Sequence, residues 1–260
     1  MVRTRLAPTP SGYLHQGNAL NFVIVDLIAD QFEADIALRL DDIDLSRTRE
    51  EYVEDVFNVL HWLEIDWSFG PRDSVDSRRW SQHERCDSYT RARDQLHSLG
   101  EAYACTCTRS DWQGYDGDEC PGACRLVGLR FEAGVTAMRA HLSDATDPVI
   151  WRRDDIPAYH LTTIVDDHEW GIGLVVRGED LRESTQVQQH LSRLLPENTF
   201  AECSVLHHDL ITKAGRKLSK SAGAGAVPME RSDALRDDIR QAAAIQARNL
   251  MSAPPRSFGN

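Results

Sequence analysis

RLAPTPSGYLHQGN, residues Arg5 to Asn18, runs from an apolar stretch through two prolines and a Ser-Gly pair into a segment of helical periodicity. Val2 to Leu6 predicts a buried strand. Pro8 and Pro10 end it, because each removes a backbone donor and pushes the residue before it toward extended geometry. Ser11-Gly12 supplies the turn. From Gly17 to Asp30 the apolar positions Leu20, Val23, Ile24, Leu27 and Ile28 recur at the spacing of a half-buried helix. A strand feeding such a helix points backbone N–H groups and the positive helix end at the crevice above the sheet, a place suited to phosphate. His15 and Gly17 fall at that mouth. Pro-Gly-Ser turns also precede ordinary helices, so this stretch needs a second one to give it meaning.

The second stretch is marked by lysine. Of 29 basic residues three are lysine, and Lys213, Lys217 and Lys220 fall within eight positions. A general drift toward arginine explains scarcity but not clustering. A compact ammonium on a flexible stem follows a moving phosphoryl group as a point charge, which the planar guanidinium does less well. A solvated loop that holds lysines by chance is the competing account.

Composition narrows the partners. The chain has 260 residues with 41% hydrophobic content, enough for one large domain or two small ones with a core. The net charge of −12 argues against a broad basic surface for nucleic acid, so a polynucleotide partner must meet a local patch. No charged-then-apolar leader opens the chain and no apolar run approaches bilayer length, which predicts a cytoplasmic protein.

Working outward, Ile36 to Leu40 predicts a strand that ends in the acidic run Asp41, Asp42 and Asp44. Carboxylates there face the ligand crevice of a parallel α/β sheet, or else form an acidic surface turn. Glu50 to Leu63 predicts an amphipathic helix through Val53, Val56, Phe57, Leu60 and Leu63. Ser81 and Glu84 have the spacing of a capping box for a helix running past Tyr89 and Leu96 to Gly100. Val149 to Arg153, Tyr159 to Val165 and Ile172 to Arg177 read as strands, with Arg177 at the same sheet edge as Arg5 and the aspartates. Thr185 to Leu195 and Ser232 to Met251 read as helices.

Between these halves lie Cys105-Thr-Cys107 and Cys120-Pro-Gly-Ala-Cys124, four of the six cysteines. Closely paired thiols in a reducing compartment hold zinc more often than they form disulfides. Four thiolates fill a tetrahedral ion, so the zinc would be structural, pinning a Gly-rich knuckle. The expected architecture is α/β: a Rossmann-like doubly wound parallel sheet, interrupted by a small zinc-containing insertion, with a helical C-terminal tail. Its segments are 1–100 (first Rossmann half), 101–148 (insertion), 149–205 (second half) and 206–260 (lysine loop and helical tail).

Assembled, the pieces resemble a class I aminoacyl-tRNA synthetase of the glutamate and glutamine group. His15, Gln16, Gly17 and Asn18 stand where that group has His-x-Gly-His, and KLSKS, Lys217 to Ser221, resembles its Lys-Met-Ser-Lys-Ser. LRLDDID at 38–44, AYHL at 158–161 and VVRGED at 175–180 match three further blocks in order. The residues after Ser221 are too few for the anticodon-binding region of a full-length synthetase. That resembles the stand-alone catalytic branch, which activates glutamate and attaches it to queuosine at the wobble position of tRNA(Asp).

The resemblance implies roles by matching position. ATP with Mg²⁺ would be held by His15, Gly17, Asn18, Lys217, Ser219 and Lys220, with His15, Lys217 and Lys220 acting on the transferring phosphates. Arg5, Ala7, Thr9, Asp41, Tyr159 and Arg177 would bind glutamate. Arg177 would neutralise its side-chain carboxylate, a task suited to a bidentate fork; glutamine-specific relatives lack arginine there. Asp41 would take the α-ammonium with a shorter arm than the glutamate usual in bacterial relatives. The branch carries CxC followed by YxxxC, so Cys105, Cys107, Cys120 and Cys124 would bind zinc. Here Cys120 occupies the tyrosine's place and Tyr115 is its rival. Arg125, Arg130, Arg139, Arg152 and Arg153 offer the local patch for tRNA. Two other functions share these motifs: a truncated synthetase that charges a tRNA 3′ end, and an inactive paralogue kept as a binding module.

Overall fold

In the computed structural model, residues 2–108, 111, 123–142, 147–210, 212–213, 216–217 and 227–252 are described, with only the backbone given at 212–213 and 216–217. The elements are β1 (Arg3–Leu6), α1 (Gln16–Phe32), β2 (Asp35–Leu38), α2 (Glu50–Trp62), α3 (Cys86–Ser98), β3 (Ala102–Cys105), β4 (Ala137–Ala140), β5 (Val149–Trp151), α4 (Tyr159–Glu169), β6 (Leu174–Gly178), α5 (Arg182–Leu194), β7 (Ser204–His208), β8 (Thr212–Lys213), β9 (Arg216–Lys217) and α6 (Asp233–Ser252). The chain forms two compact units. One comprises Met1–Gln82, Ile172–Arg182 and Cys203–Asn260; the other comprises His83–Gly171 and Glu183–Glu202.

The first unit is built on parallel strands. β1 pairs with β2 from Arg3↔Asp35 to Leu6↔Leu38, and β6 pairs with β7 from Leu174↔Ser204 to Gly178↔His208. Gly173 N–H donates to the Arg3 carbonyl at 2.9 Å, which sets β6 beside β1. Phe69 bridges Ala37 on the far side of β2. The order is therefore Phe69, β2, β1, β6, β7, that of a doubly wound sheet, whose direction reverses between β1 and β6. Gly70 follows the bridge at φ +109, where a Cβ would sit 2.1 Å from the Leu38 carbonyl oxygen, so the chain can turn away there only through glycine. Leu20, Val23, Ile24 and Ile28 of α1 bury against Val56, Leu60 and Leu63 from α2 and its end and Ile239, Ala243 and Ala247 of α6 in one apolar cluster.

The second unit holds an antiparallel sheet in the order β3-β4-β5. β5, read from sequence as part of the Rossmann segment 149–205, instead pairs with β4 through Met138↔Trp151 and Arg139↔Val149. Helices α3 and α4 are tied by Asp166, which has no exposed surface: it accepts from Arg85 Nε at 2.7 Å, Arg85 Nη2 at 3.1 Å and Tyr89 Oη at 2.6 Å.

Two sequence expectations are corrected. Tyr159 to Val165 is the start of helix α4, not a strand. Its run from Leu161 to Asp167 is buried throughout, polar residues included, so no buried and exposed faces alternate to separate helix from strand. Ser81 and Glu84 do not cap a helix: Ser81 lies between two 3₁₀ turns, Asp76–Trp80 and Gln82–Arg85, and α3 starts at Cys86. The competing force is Asp42, whose Oδ1 accepts Gln82 N–H at 2.8 Å while Gln82 Oε1 accepts Ile43 N–H at 3.0 Å.

Candidate functional site

The sheet edge of the first unit collects the residues singled out in the sequence. Beyond the ends of β1 and β2 the pairing continues, with Arg39 N–H donating to the Leu6 carbonyl and Asp41 N–H to the Pro8 carbonyl, each at 2.9 Å. This brings Asp41 alongside the Ala7 to Thr9 loop. Ser11 N–H donates to the Thr9 carbonyl at 2.8 Å, closing a three-residue turn centred on Pro10. The chain then reaches His15, extended at φ −124 and ψ 172, which caps α1.

The cap is reciprocal. His15 Nδ1 accepts Gly17 N–H at 3.0 Å, and Asn18 Oδ1 accepts His15 N–H at 3.1 Å. A ring nitrogen that accepts carries no proton, so the neutral imidazole holds its hydrogen on Nε2. Asn18 N–H donates to the His15 carbonyl at 2.9 Å. The first turn is thus organised by its own residues, while the helix end keeps its positive potential.

The edge carries two buried cations. Arg5 is 6% and Arg177 4% exposed, both lying inside the fold. Arg177, next to last in β6, pairs opposite His207 of β7. Burial, together with the Arg182 and Arg177 guanidinium groups, pushes the His207 imidazole down to about 4, so it is neutral near pH 7. Its neighbour His208 is also lowered by burial; its Nδ1 donates to the Asp209 carbonyl and its Nε2 lies 2.9 Å from Asn21 Oδ1 of α1. After Arg177 the chain packs closely: a Cβ on Gly178 would meet the side-chain ends Asp180 Oδ1 at 2.6 Å and Leu210 Cδ2 at 2.9 Å, which would have to shift. Asp41, 12% exposed at its side chain, accepts from Arg39 Nε at 2.7 Å, and that guanidinium is wholly buried.

Tyr159 lies in the first turn of α4, in the second unit, and is 39% exposed. Lys217 closes β9, whose backbone pairs with β8 through Thr212↔Lys217 and Lys213↔Arg216. Ser219, Lys220, Cys120 and Tyr115 lie outside the described residues.

The cysteines converge. Cys105 at the end of β3, Cys107 beyond it and Cys124 in the 3₁₀ turn Ala123–Leu126 bring their sulfurs within 4.8 Å of one another. Cys107 and Cys124 sulfurs are 3.5 Å apart. Four thiolates at about 2.3 Å around a tetrahedral ion stand about 3.8 Å from one another, so this donor set fits zinc in chemistry and spacing. Burial raises the Cys124 thiol, but the Thr106 N–H and the Cys107 and Cys105 thiols outweigh it and hold the group below the ordinary thiol range. Arg153 Nη2 donates to the Thr106 carbonyl at 2.8 Å, bracing the turn.

The proposed arginine patch is largely used internally. Arg139 is 6% exposed and donates to the Asp147 carbonyl at 2.7 Å, Arg152 pairs with Asp154, and Arg125 meets His141. Arg125 and Arg130 also line a cavity of about 640 Å³ with Arg93 and His97.

Sequence reasoning missed Asp55, Gln82 and Asp166. Each is a buried polar residue whose partner is remote in sequence, and no local spacing marks such a pair.

With this geometry in place, comparison with known proteins can be read. The family "tRNA synthetases class I (E and Q), catalytic domain" matches residues 1–119 and 135–253. The chain belongs to this family. Membership in the class I E and Q catalytic domain accounts for the doubly wound sheet and for the signature at its first helix. A glutamyl-Q tRNA(Asp) synthetase of Nitratidesulfovibrio vulgaris is 34% identical over 255 residues, covering 85% of this chain and 78% of that protein. A glutamate–tRNA ligase of Myxococcus xanthus is 32% identical over 227 residues, covering 75% of this chain and 47% of that protein. Among solved structures, a glutamate tRNA ligase from Elizabethkingia meningosepticum in complex with its amino acid superposes with TM-score 0.69 at 24% identity, over 86% of this chain and 52% of that one. The chain therefore spans about half the length of those two glutamate–tRNA ligases. Among the described residues no helix is long and apolar enough to cross a membrane.

Proposed function

We propose that this class I synthetase domain is a ligase that activates L-glutamate with ATP and transfers it to queuosine at the wobble position of tRNA(Asp). The observation that carries the reading is the buried pair Arg5 and Arg177 at the C-terminal edge of a doubly wound sheet, with His207 beside Arg177 kept neutral. A guanidinium fork pairs bidentately with a carboxylate, so arginines placed at such an edge suit an acidic amino acid. A neutral imidazole adds no competing anion and no further repulsion. The Nitratidesulfovibrio relative supports the acceptor by its name.

In this reading the glutamate α-carboxylate attacks the α-phosphorus of ATP, forming an acyl–phosphate bond while pyrophosphate leaves. An acceptor hydroxyl then attacks the acyl carbon and AMP leaves. Mg²⁺, arriving with ATP, offsets phosphate charge. The protein supplies position and fixed charge, which dominate phosphoryl transfer. His15 donates from Nε2 to a phosphate oxygen, with Gly17 and Asn18 shaping the helix end around it. Lys217, Ser219 and Lys220 take the phosphates from the other side. Arg177 and Arg5 hold glutamate carboxylates with Ala7 and Thr9 against the chain, and Asp41, fixed by Arg39, takes the α-ammonium. Cys105, Cys107 and Cys124, with Cys120 or Tyr115 as the fourth ligand, hold structural zinc.

Pyrophosphate exchange tests the first step: glutamate is expected to drive it and glutamine is not. Offering tRNA(Asp) with and without queuosine, and tRNA(Glu), tests the second, with glutamylation expected only where queuosine is present. Glutamylated tRNA(Glu) would instead make this a truncated synthetase, and absence of exchange even with tRNA would make it a binding module.

A further inference from the structure

Asp55 sits in the middle of α2, 2% exposed, and the reaction described above gives it no work. Its two oxygens go to segments far apart in the chain. Oδ2 accepts Leu14 N–H at 2.8 Å, one residue before the His15 cap. Oδ1 accepts from Arg231 Nη2 at 2.6 Å, on the segment that leads into α6. Both sides are reinforced on α2. Tyr13 packs edge-on against Tyr52 with ring centroids 5.1 Å apart. Arg236 Nη1 donates to the Trp62 carbonyl at 3.2 Å and Arg240 Nη2 to the Leu63 carbonyl at 2.7 Å, so two carbonyls at the end of α2 are met by arginines of α6.

A buried carboxylate in the middle of a helix is a costly way to fill space. An apolar pair of similar volume is often as stable or more so, whereas an ion pair fixes one arrangement among several. We propose that Asp55 is a positioning residue that ties the turn before His15 to the segment leading into α6, and so keeps the His15 cap in the one orientation in which its Nε2 meets the triphosphate. Asp55 acts through Leu14 and Arg231 and touches no substrate. The inference rests on the proposed adenylation, but the tie itself is measurable without it.

Three variants test it: Arg231→Met, Arg231→Lys and the double variant Asp55→Leu with Arg231→Met. Arg231→Met leaves Asp55 buried without its counter-charge and is expected to lower kcat of glutamate-driven pyrophosphate exchange by about 10- to 100-fold, the scale of a small misplacement of reacting groups. The KM for glutamate should stay within about twofold, because uniform ground-state binding is untouched. Arg231→Lys should recover part of kcat. The double variant removes both charges and, although it leaves the Leu14 N–H without its acceptor, should regain part of the melting temperature without regaining kcat. Full recovery of kcat in the double variant would show a merely structural pair and overturn the proposal. Independently of activity, amide exchange of the peptide Tyr13 to Ala19 should quicken by about tenfold in Arg231→Met, a local opening reported from the far end of the chain. Unchanged exchange there refutes the tie even if the enzyme turns out not to activate glutamate, and a wild type inert with glutamate but showing the amide effect refutes only the functional reading.

Discussion

In the first unit a single apolar cluster runs from Leu6 of β1 through Leu20, Ile24 and Ile28 of α1 to Val56 and Leu60 of α2 and Ala243 of α6. At the cysteine end of the second, the cluster is Tyr103, Cys105 and Cys124, with Cys107 and Leu129 at its margin. The first is large enough to bury Arg5, Arg177 and Asp55 beside it. The cysteine end has few apolar side chains of its own, and three sulfurs meet there instead. Charges are buried in both units, but for different ends: Asp166 joins two helices, whereas Arg177 is aimed at a sheet edge.

That contrast can be broken by substitution. Asp166→Ala leaves Arg85 without its buried partner and should destabilise the second unit by about 3 to 5 kcal/mol, read as a fall in denaturant midpoint. A loss confined to glutamate-driven exchange would place Asp166 in the chemistry instead. Lys220→Ala should behave the opposite way, costing about 10²- to 10³-fold in exchange with no change in melting; a normal rate removes the lysine from the mechanism. Cys107→Ser should cut zinc from about one ion per chain to a trace by elemental analysis, with exchange quickening in the amides around Cys105 while β1 and β2 stay protected.

The smallest effect sharpens the account of the first unit. Burial, and then Asp30 nearby, raises the Asp26 carboxyl to about 6. Because the folded state holds this proton more tightly than the unfolded chain does, stability is full below about 4 and declines as pH rises through about 6. Asp26→Asn should therefore gain about 1 to 2 kcal/mol at pH 7 and nothing below pH 4, after allowing for screening of a partly exposed group. A flat difference between variant and parent across that range would mean the carboxyl titrates normally.

Much of this was legible in the residues because it is written locally. The Pro8, Pro10 and Gly12 punctuation and the spacing from Leu20 to Ile28 predict β1 and α1, and the observed elements span Arg3–Leu6 and Gln16–Phe32. The helix expected from Ser232 to Met251 is found at Asp233–Ser252. The cysteine pairs announce themselves by spacing, and three of their sulfurs meet. What stayed hidden is written in pairs. Thr162-Thr163-Ile164-Val165 favours a strand by its branched side chains, and only the burial of its surroundings and the Arg85 and Tyr89 bonds to Asp166 make it helical. Asp55 carries no local mark within α2, because its partners Leu14 and Arg231 come from elsewhere in the chain. The reciprocal His15 and Asn18 cap was half visible, since the signature names the residues but not the tautomer it imposes.

The Phe69 bridge and the turn at Gly70 also govern how this molecule meets other copies of itself. An open strand edge is a template on which a second chain can add hydrogen bonds and start to aggregate. Beside β2 that template is one bridge long: Arg3 stacks its guanidinium 4.7 Å from the centre of the Phe69 ring, and the chain departs at once through a backbone angle that favours glycine. Substituting that single glycine would threaten solubility as well as the turn.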